Sequence, residues 1–448
     1  MRRATVRYHT RAGGGGAPDP MNVAVRRRLE PGQRPPLRHS VVWTAIGNGV
    51  YLASQYGILM VLAKLGSTTL VGQFSLGLAI VTPVLIFSQM QLRQVFVTDA
   101  GGATPFAAFF WARVVVGAPA LLGTIAVVAA LGYEREFQAV TALLGTAKLA
   151  ESLSDMLYAS LQRRERMDFV AGAMIFRGAL GLAAVAGGLW WTRSLLGAVG
   201  ALAAAWGLAL VFVDLGLVRR AGREDTLAWR WNRAEMFGLM RTSAPLTMAA
   251  GLVSLSASIP RYVLEYFQGK SAVALFTVAM APISLMGIFT GAIAQATLAR
   301  AAVYLQGGQF RAFSSLGRKL AAVNALIGLA LVTLLVAAGR PLVRLLFTPE
   351  YEPAVPVMII LGAGVAISGL GAFGSTVVLA GRRFHLQLAN VIVALLVQVP
   401  LCILLVPRYA IFGAGWAEFG KLVVTTVFLH VVGFRAYRAL RPLPPAAA

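Results

Sequence analysis

The stretch TAKLAESLSDMLYASLQRRERMDF, Thr146 to Phe169, carries Lys148, Glu151 and Asp155 inside a run whose neighbours on both sides are apolar enough to sit in lipid. At 100° per residue these three and Gln162 fall within about 60° of one another on a helix. Ser152 and Tyr158 flank them, and Leu149, Leu153, Leu157 and Leu161 cover much of the remaining surface. Such a stripe can hold a charged cargo, pass a proton or brace a neighbouring helix. Metal chemistry has less to work with. The four histidines, His9, His39, His385 and His430, are scattered, and the one cysteine, Cys402, lies in an apolar run, so no ligand spacing arises and no disulfide can close within the chain. No cofactor is expected either. The glycine-rich GAGVAISGLGAFG at 362–374 lacks the strand and lysine of a phosphate loop, and small residues at that density suit close helix packing.

The elements that must position the stripe follow from composition. Of 448 residues, 58% are hydrophobic and 13% charged, with mean hydropathy +0.73, against roughly 25% charged in soluble domains. Twelve apolar segments lie near 41–63, 70–91, 106–131, 137–161, 168–191, 195–218, 243–267, 271–298, 319–339, 353–380, 384–406 and 413–434, each of a length that crosses a bilayer as a helix. The fold class is therefore all-α and polytopic, with twelve transmembrane helices. The eighth and tenth segments are long enough to tilt or protrude.

Charge orients the helices. The net charge of +23 suggests nucleic acid in a soluble protein, but here the cations gather in loops on one side and no nucleic-acid partner is expected. With the N-terminus cytoplasmic, 28 Lys and Arg fall in cytoplasmic segments and 7 outside, which places both termini on the cytoplasmic side. Residues 1–40, rich in Arg, Gly and Pro and without the apolar core of a signal peptide, read as a disordered basic arm, and Met21 is an alternative start. Residues 41–218 form a first six-helix bundle, 219–242 a basic and aromatic amphipathic linker on the inner leaflet, 243–435 a second six-helix bundle, and 436–448 a cytoplasmic tail. Two halves of six spans each suggest a parallel repeat around a central cavity. VGQFSLGLA at 71–79 and VALFTVAMA at 273–281 echo one another faintly.

Five cations remain inside spans: Arg113, Lys148, Arg177, Arg261 and Lys421. Five acids lie at comparable depth: Glu151, Asp155, Asp214, Glu265 and Glu418. A charge at the bilayer centre costs about 2.5–3.5 kcal/mol even on the lenient insertion scale, so these ten face the bundle interior or a wet cavity. Lys148 and Glu151 at i,i+3, Arg261 and Glu265 at i,i+4, and Glu418 and Lys421 at i,i+3 are close enough to pair locally. Pairing alone is a poor reason to keep them, since apolar residues of similar volume often stabilise a bundle as well or better. A transport pathway accounts for them better than a purely structural role.

Several stretches, in order along the chain, resemble bacterial polysaccharide flippases of the multidrug/oligosaccharidyl-lipid/polysaccharide exporter superfamily. They are VGQFSLGLAIVTPVLIFSQMQLRQVFVTDA (71–100), AKLAESLSDMLYASLQRRERMD (147–168), IPRYVLEYFQGKSAVALF (259–276), YEPAVPVMIILGAG (351–364) and PRYAIFGAGWAE (407–418). The resemblance implies two six-helix bundles around a cavity that opens alternately to each side. It implies a transporter rather than an enzyme, with undecaprenyl-pyrophosphate-linked oligosaccharide repeat units as cargo, membrane lipid around it, and a polysaccharide polymerase and glycosyltransferases as partners. On that basis Arg113, Lys148, Arg177, Arg261 and Lys421 are the expected substrate-binding residues, and Glu151, Asp155, Glu265 and Glu418 line the cavity or couple transport to an ion. Arg113 and Arg177 lie roughly 10 and 14 Å in from the cytoplasmic ends of their helices at 1.5 Å per residue, whereas Arg261, Glu265, Glu418 and Lys421 fall in the outer half. Two stations for the pyrophosphate are therefore expected, one for loading and one for release. A multidrug/cation antiporter of the same superfamily would prefer an acidic, aromatic-lined cavity. A membrane polymerase or glycosyltransferase would carry a large outer loop, and no outer loop exceeds about a dozen residues.

A cysteine at position 134, with Cys402 replaced, is expected to react with an impermeant maleimide in whole cells. Labelling only after lysis would invert the orientation.

Overall fold

The computed structural model describes residues 37–98, 104–221, 227, 232–381 and 383–440, and among these there are helices and turns but no strand. The chain is a multi-pass membrane protein. Helix α1 spans Leu37–Leu65, α2 Thr68–Gln89, α3 Leu92–Thr98, α4 Phe106–Ala130, α5 Arg135–Arg163 and α6 Met167–Thr192. Helix α7, Leu195–Leu208, continues through a π-helical turn, Ala209–Asp214, into α8, Leu215–Ala221. The second half contains α9 Arg233–Gln268, α10 Lys270–Gln306, α11 Phe310–Leu346, a 3₁₀ turn at Pro349–Ala354, α12 Val355–Leu370, α13 Ala372–Ala380 and α14 Phe384–Leu440. All twelve expected spans are present. Ten helices qualify as membrane-crossing by length and composition. Helix α5 falls short of that standard because of its charge stripe, and α14 is two spans parted at Ala410, whose φ of 48° and ψ of −126° are not helical.

Local chemistry sets the boundaries. Ser67 accepts from the Leu70 N–H at the start of α2, Ser194 from Leu196 at α7, and Asn232 from Ala234 and Glu235 at α9, each satisfying donors that a helix start leaves open. Helix α2 stops at Met90 and Gln91, both at φ 48°, and α3 begins at Leu92. Several helices outrun the hydrocarbon. At 37 residues, α10 is about 55 Å long against a core of about 30 Å. For the same reason three expected boundaries move. Residues 37–40, read as part of the arm, begin α1; residues 233–242, read as linker, are the first turns of α9; and the tail begins inside α14, which runs to Leu440. Hydropathy marks where a helix meets lipid, whereas the helix itself continues into the interface, where basic residues favour it. The arm before residue 37, linker residues 222–226 and 228–231, and the tail from 441 lie outside the described residues.

In the first bundle α1 lies along α6, α6 along α7, and α5 against α2, α4 and α7. In the second, α11 packs on α12, and α14 on α9, α12 and α13. The bundles meet where α2 packs against α9 and α10. Their joint is one-sided. On the face opposite Leu37 and Leu440, the described ends of the chain, here the far side, a single apolar cluster draws from both bundles and includes Ile58, Leu62 and Val71 with Leu264, Val273 and Tyr351. Towards the terminus side the core divides. One cluster contains Leu92, Phe96, Phe109 and Met156, with Leu239 of α9, and another contains Ala301, Phe313, Val377 and Tyr437 of the second bundle alone. Polar ties also cross at the far side. Lys64 donates to the Leu345 carbonyl at 2.8 Å, Lys270 pairs with Glu134 at 3.3 Å, and the Tyr133 hydroxyl donates to Glu265 at 3.1 Å. Burial and then the Glu265 carboxylate push the Tyr133 phenol up to about 12, so it stays a donor throughout the physiological range. The bundles are thus tied more extensively on the far side than on the terminus side, where Leu239 of α9 joins the first-bundle cluster.

Closure depends on one close approach. A Cβ at Gly72 would sit 1.9 Å from the Lys270 carbonyl oxygen, so only glycine lets the starts of α2 and α10 touch. Thr69 Oγ1 and Ser271 Oγ lie 3.5 Å apart beside it, within reach of a disulfide between cysteines at those positions. Overpacking of this kind costs about 1–3 kcal/mol. Gly72→Val in a Thr69→Cys/Ser271→Cys background lacking Cys402 is therefore expected to lower oxidative cross-linking about tenfold. Unchanged cross-linking would show that closure does not need this contact.

Candidate functional site

A cavity of ≈ 110 Å³ lies within the first bundle, lined by Thr44, Asn48 and Tyr51 of α1, Arg93 of α3, Glu151, Asp155 and Tyr158 of α5, and Met167, Val170, Ala171, Met174 and Arg177 of α6. The polar stripe of α5 forms one wall. The aliphatic back of that helix faces the packed core, where Leu144, Leu157 and Leu161 are fully buried.

Every acid at the pocket has a cationic partner. Lys148 Nζ pairs with Glu151 at 2.7 Å, and Glu151 also accepts the Tyr51 hydroxyl from across the pocket. Asp155 is held from two directions. From behind, Arg113 Nη1 donates to it at 3.0 Å and to the Ser152 carbonyl at 2.7 Å, while Nη2 reaches the Gln89 carbonyl at 3.4 Å. From the pocket side, Arg93 Nη1 bonds the same carboxylate, and its Nε and Nη2 share the Gln162 side-chain oxygen at 3.2 and 2.8 Å. Deeper in, Arg177 Nη2 bonds both Asp214 and Ser154, and the Tyr158 hydroxyl donates to Asp214 at 3.0 Å. Asp214 closes the π-helical turn of the sixth span, where the extra residue per turn rotates its carboxylate towards α5 and α6; π-turns often mark functional positions. Lys148 and Arg177 both lie against the Trp206 ring, 5.4 and 5.8 Å from its centroid.

The two first-bundle arginines assigned to substrate are not equivalent. Arg113 is 1% exposed and stands behind Asp155, outside the lining of the pocket, so it braces the site and does not contact its contents. Lys148 likewise stands behind Glu151. Arg177 does line the pocket, and although it is only 2% exposed, its Nε and Nη1 have no partner. Three participants escaped the sequence. Arg93 reads there as a loop cation, because nothing about Met90 and Gln91 announces two left-handed residues that turn α3 back over the pocket. Asp214 reads as an acid at depth with no assigned partner. Tyr51 carries no signal beyond its apolar surroundings.

The second bundle builds a different arrangement. Glu418 pairs locally with Lys421 and accepts the Gln398 amide at 2.7 Å, and Gln398 accepts the Ser256 hydroxyl at 2.6 Å. Three spans are thereby tied by one polar chain. The expected i,i+4 pair of Arg261 and Glu265 is not formed. Glu265 is taken by Tyr133 of the other bundle, while Arg261 donates to its own Ala257 carbonyl at 2.8 Å and to Thr277 on α10 at 3.3 Å. Among the described residues Arg261 makes no ion pair, unlike the other four intramembrane cations.

No family model matches the chain. A capsular polysaccharide biosynthesis protein, CapF, of Staphylococcus aureus is 24% identical over 383 residues, covering 83% of this chain and 92% of the relative. Among solved structures, the lipid II flippase MurJ in an inward closed conformation has a TM-score of 0.71 at 10% identity, over 89% of this chain and 90% of its own. An inward-facing multidrug resistance transporter of the MOP superfamily has a TM-score of 0.66 at 13% identity, over 94% and 98%. A MOP-superfamily transporter from Pyrococcus furiosus, described by the reverse polarity of its binding pocket, has a TM-score of 0.64 at 14% identity, over 90% and 95%. The fold is that of these transporters, with twelve helices in two bundles.

Breaking the buried Arg177–Asp214 pair from one side strands a charge, at a cost of about 3–5 kcal/mol, whereas replacing both partners by apolar residues is nearly neutral. Asp214→Ala is therefore expected to lower the unfolding temperature of the purified protein strongly, and Arg177→Met/Asp214→Leu to restore most of it. Equal losses in both variants would show that the pair stabilises beyond its own compensation.

Proposed function

We propose that this protein carries oligosaccharide repeat units linked to undecaprenyl pyrophosphate across the bacterial cytoplasmic membrane by alternating access, with both termini in the cytoplasm, in the service of polysaccharide biosynthesis. The observation that carries the reading is Arg261, a cation inside a membrane fold with no direct ion pair among the described residues, on the helix that packs against the opposite bundle. An unpaired charge in the membrane interior is costly, and such residues mark substrate and ion paths. A guanidinium presents a planar fork of donors that matches phosphate. Arg177, with two open nitrogens in the first-bundle pocket, supplies a second contact of the same kind. The name of the Staphylococcus relative points the same way.

The cation-antiporter alternative shares the fold, so charge has to decide. An organic cation needs an acid to receive it. In the first-bundle pocket Glu151, Asp155 and Asp214 are each already paired with a tethered cation, and a cargo cation would have to displace a side chain held at high effective concentration. An anionic cargo meets open donors instead. Loading on the terminus side at Arg177 and release beyond Arg261 and Lys421 is the order that the far-side closure favours. The saccharide would occupy the space between the bundles, and the polyprenyl chain would stay in lipid. The division into a 41–218 bundle and a 243–435 bundle supplies the two rocking bodies. A polymerase and glycosyltransferases are the enzymes that such a step would serve.

A charge-assisted contact is worth about 2 kcal/mol or more when its partner charge is lost, or about thirtyfold. Arg261→Glu is therefore expected to lower delivery of lipid-linked oligosaccharide in a cellular export assay by about that factor, with Arg261→Lys intermediate, while binding of the lipid to the purified protein survives. Wild-type export by Arg261→Glu would reject the reading. Loss of initial binding in that variant, as complete as in Arg177→Glu, would replace two stations with a single central site.

A further inference from the structure

Two arginines compensate Asp155, and they differ in every respect that governs exchange. Arg113 is 1% exposed, fixed by the Ser152 and Gln89 carbonyls, and lies outside the pocket lining. Arg93 has a side chain 30% exposed, lines the pocket, and reaches Asp155 from α3. That helix is seven residues long and follows two consecutive left-handed residues that are not glycine. The second anchor of Arg93 is an uncharged oxygen, Gln162 Oε1. Removing Arg93 therefore leaves Asp155 compensated, whereas removing Arg113 would leave a buried guanidinium site empty behind it. Arg177 lines the same pocket, and its Nε and Nη1 are buried without a partner.

We infer that Arg93 is an exchangeable ligand of the site: a diphosphate group entering the first-bundle pocket draws the Arg93 guanidinium from Asp155 and Gln162, while Arg113 stays on Asp155 and Arg177 meets the same anion with its open nitrogens. This rests on the anionic cargo proposed above and adds the residue and the order of events. No covalent bond changes; one charge-assisted contact is traded for another. The trade sets the affinity. A free Arg93 would hold a diphosphate tightly, as charge-assisted bidentate contacts do, and the competing carboxylate returns part of that binding and so permits release. Selectivity follows from the same geometry, because two guanidinium groups on opposite helices, α3 and α6, suit two adjacent phosphates better than one.

The test measures binding of undecaprenyl diphosphate and undecaprenyl monophosphate to the full-length protein in zwitterionic nanodiscs, with soluble methylene diphosphonate as a third probe. The intact protein is expected to prefer the diphosphate lipid, and Arg93→Gln to weaken it about tenfold. Freeing Arg93 has the opposite sign. Gln162→Leu, which leaves the buried pair intact, and Asp155→Asn, where it folds, are expected to tighten the diphosphate lipid several-fold, and that gain should vanish when Arg93→Gln is added. A gain that persists without Arg93, or wild-type affinity in Arg93→Gln alongside loss in Arg177→Gln, overturns the exchange and leaves the proposed function standing. Methylene diphosphonate bound as tightly as the lipid, with the same dependence on Arg93, supports the exchange and overturns the lipid carrier as cargo. Failure of the intact protein to distinguish diphosphate lipid from none rejects both.

Discussion

Charge compensation within a low-dielectric bundle is the constraint on which the rest of this structure depends. Taking a carboxylate or guanidinium out of water costs several kcal/mol per ion, which a partner in good geometry returns only in part. Helix α5 introduces Lys148, Glu151 and Asp155 into the interior, and the surrounding architecture answers each. A neighbour on the same helix pairs Glu151, a buried arginine from α4 backs Asp155, and a break in the second span folds Arg93 over it. The sixth span deforms into a π-helical turn that sets Asp214 against Arg177. Bends and bulges that look like irregularities in the helices are where backbone geometry gives way to electrostatics.

The two bundles meet this constraint differently, and the difference is functional in kind. The first pairs every pocket carboxylate with a cation around a small pocket. The second ties Ser256, Gln398, Glu418 and Lys421 into one chain across three spans and leaves Arg261 without a direct ion pair among the described residues. Carboxylates that are each paired tolerate being bare of cargo; an arginine without a direct ion pair is stabilised by whatever anion reaches it. An alternating-access carrier needs this asymmetry, since identical stations on the two sides would give no gradient of affinity along the path.

Far-side closure is likewise a matter of contact at short range. Apolar packing between bundles is most extensive at one end, and there Gly72 allows backbone to meet backbone while Lys270, Glu134, Tyr133 and Glu265 tie the rim. Side-chain ties at a rim exposed to water are individually weak. Such a joint can open without unfolding either bundle, because part of each bundle's core lies outside it, around Phe96 and Met156 in the first and Phe313 and Tyr437 in the second.

The sequence alone determined the number, order and approximate limits of the spans, because a hydrocarbon core of fixed thickness imposes a length and composition on anything that crosses it. It determined the stripe on α5 as well, since helical periodicity converts spacing directly into a face, and it located the two local pairs, Lys148 with Glu151 and Glu418 with Lys421. Only the tertiary structure decided which charges meet across helices. Arg177 finds Asp214 because a π-helical turn rotates the sixth span; Arg93 enters the pocket because Met90 and Gln91 adopt a conformation that neither residue type favours. Glu265 abandons Arg261, four residues away, for Tyr133 of the other bundle. Partners on one helix are fixed by 1.5 Å and 100° per residue, whereas partners on different helices depend on azimuth, tilt and local backbone breaks, and those are set by the packing of the whole bundle.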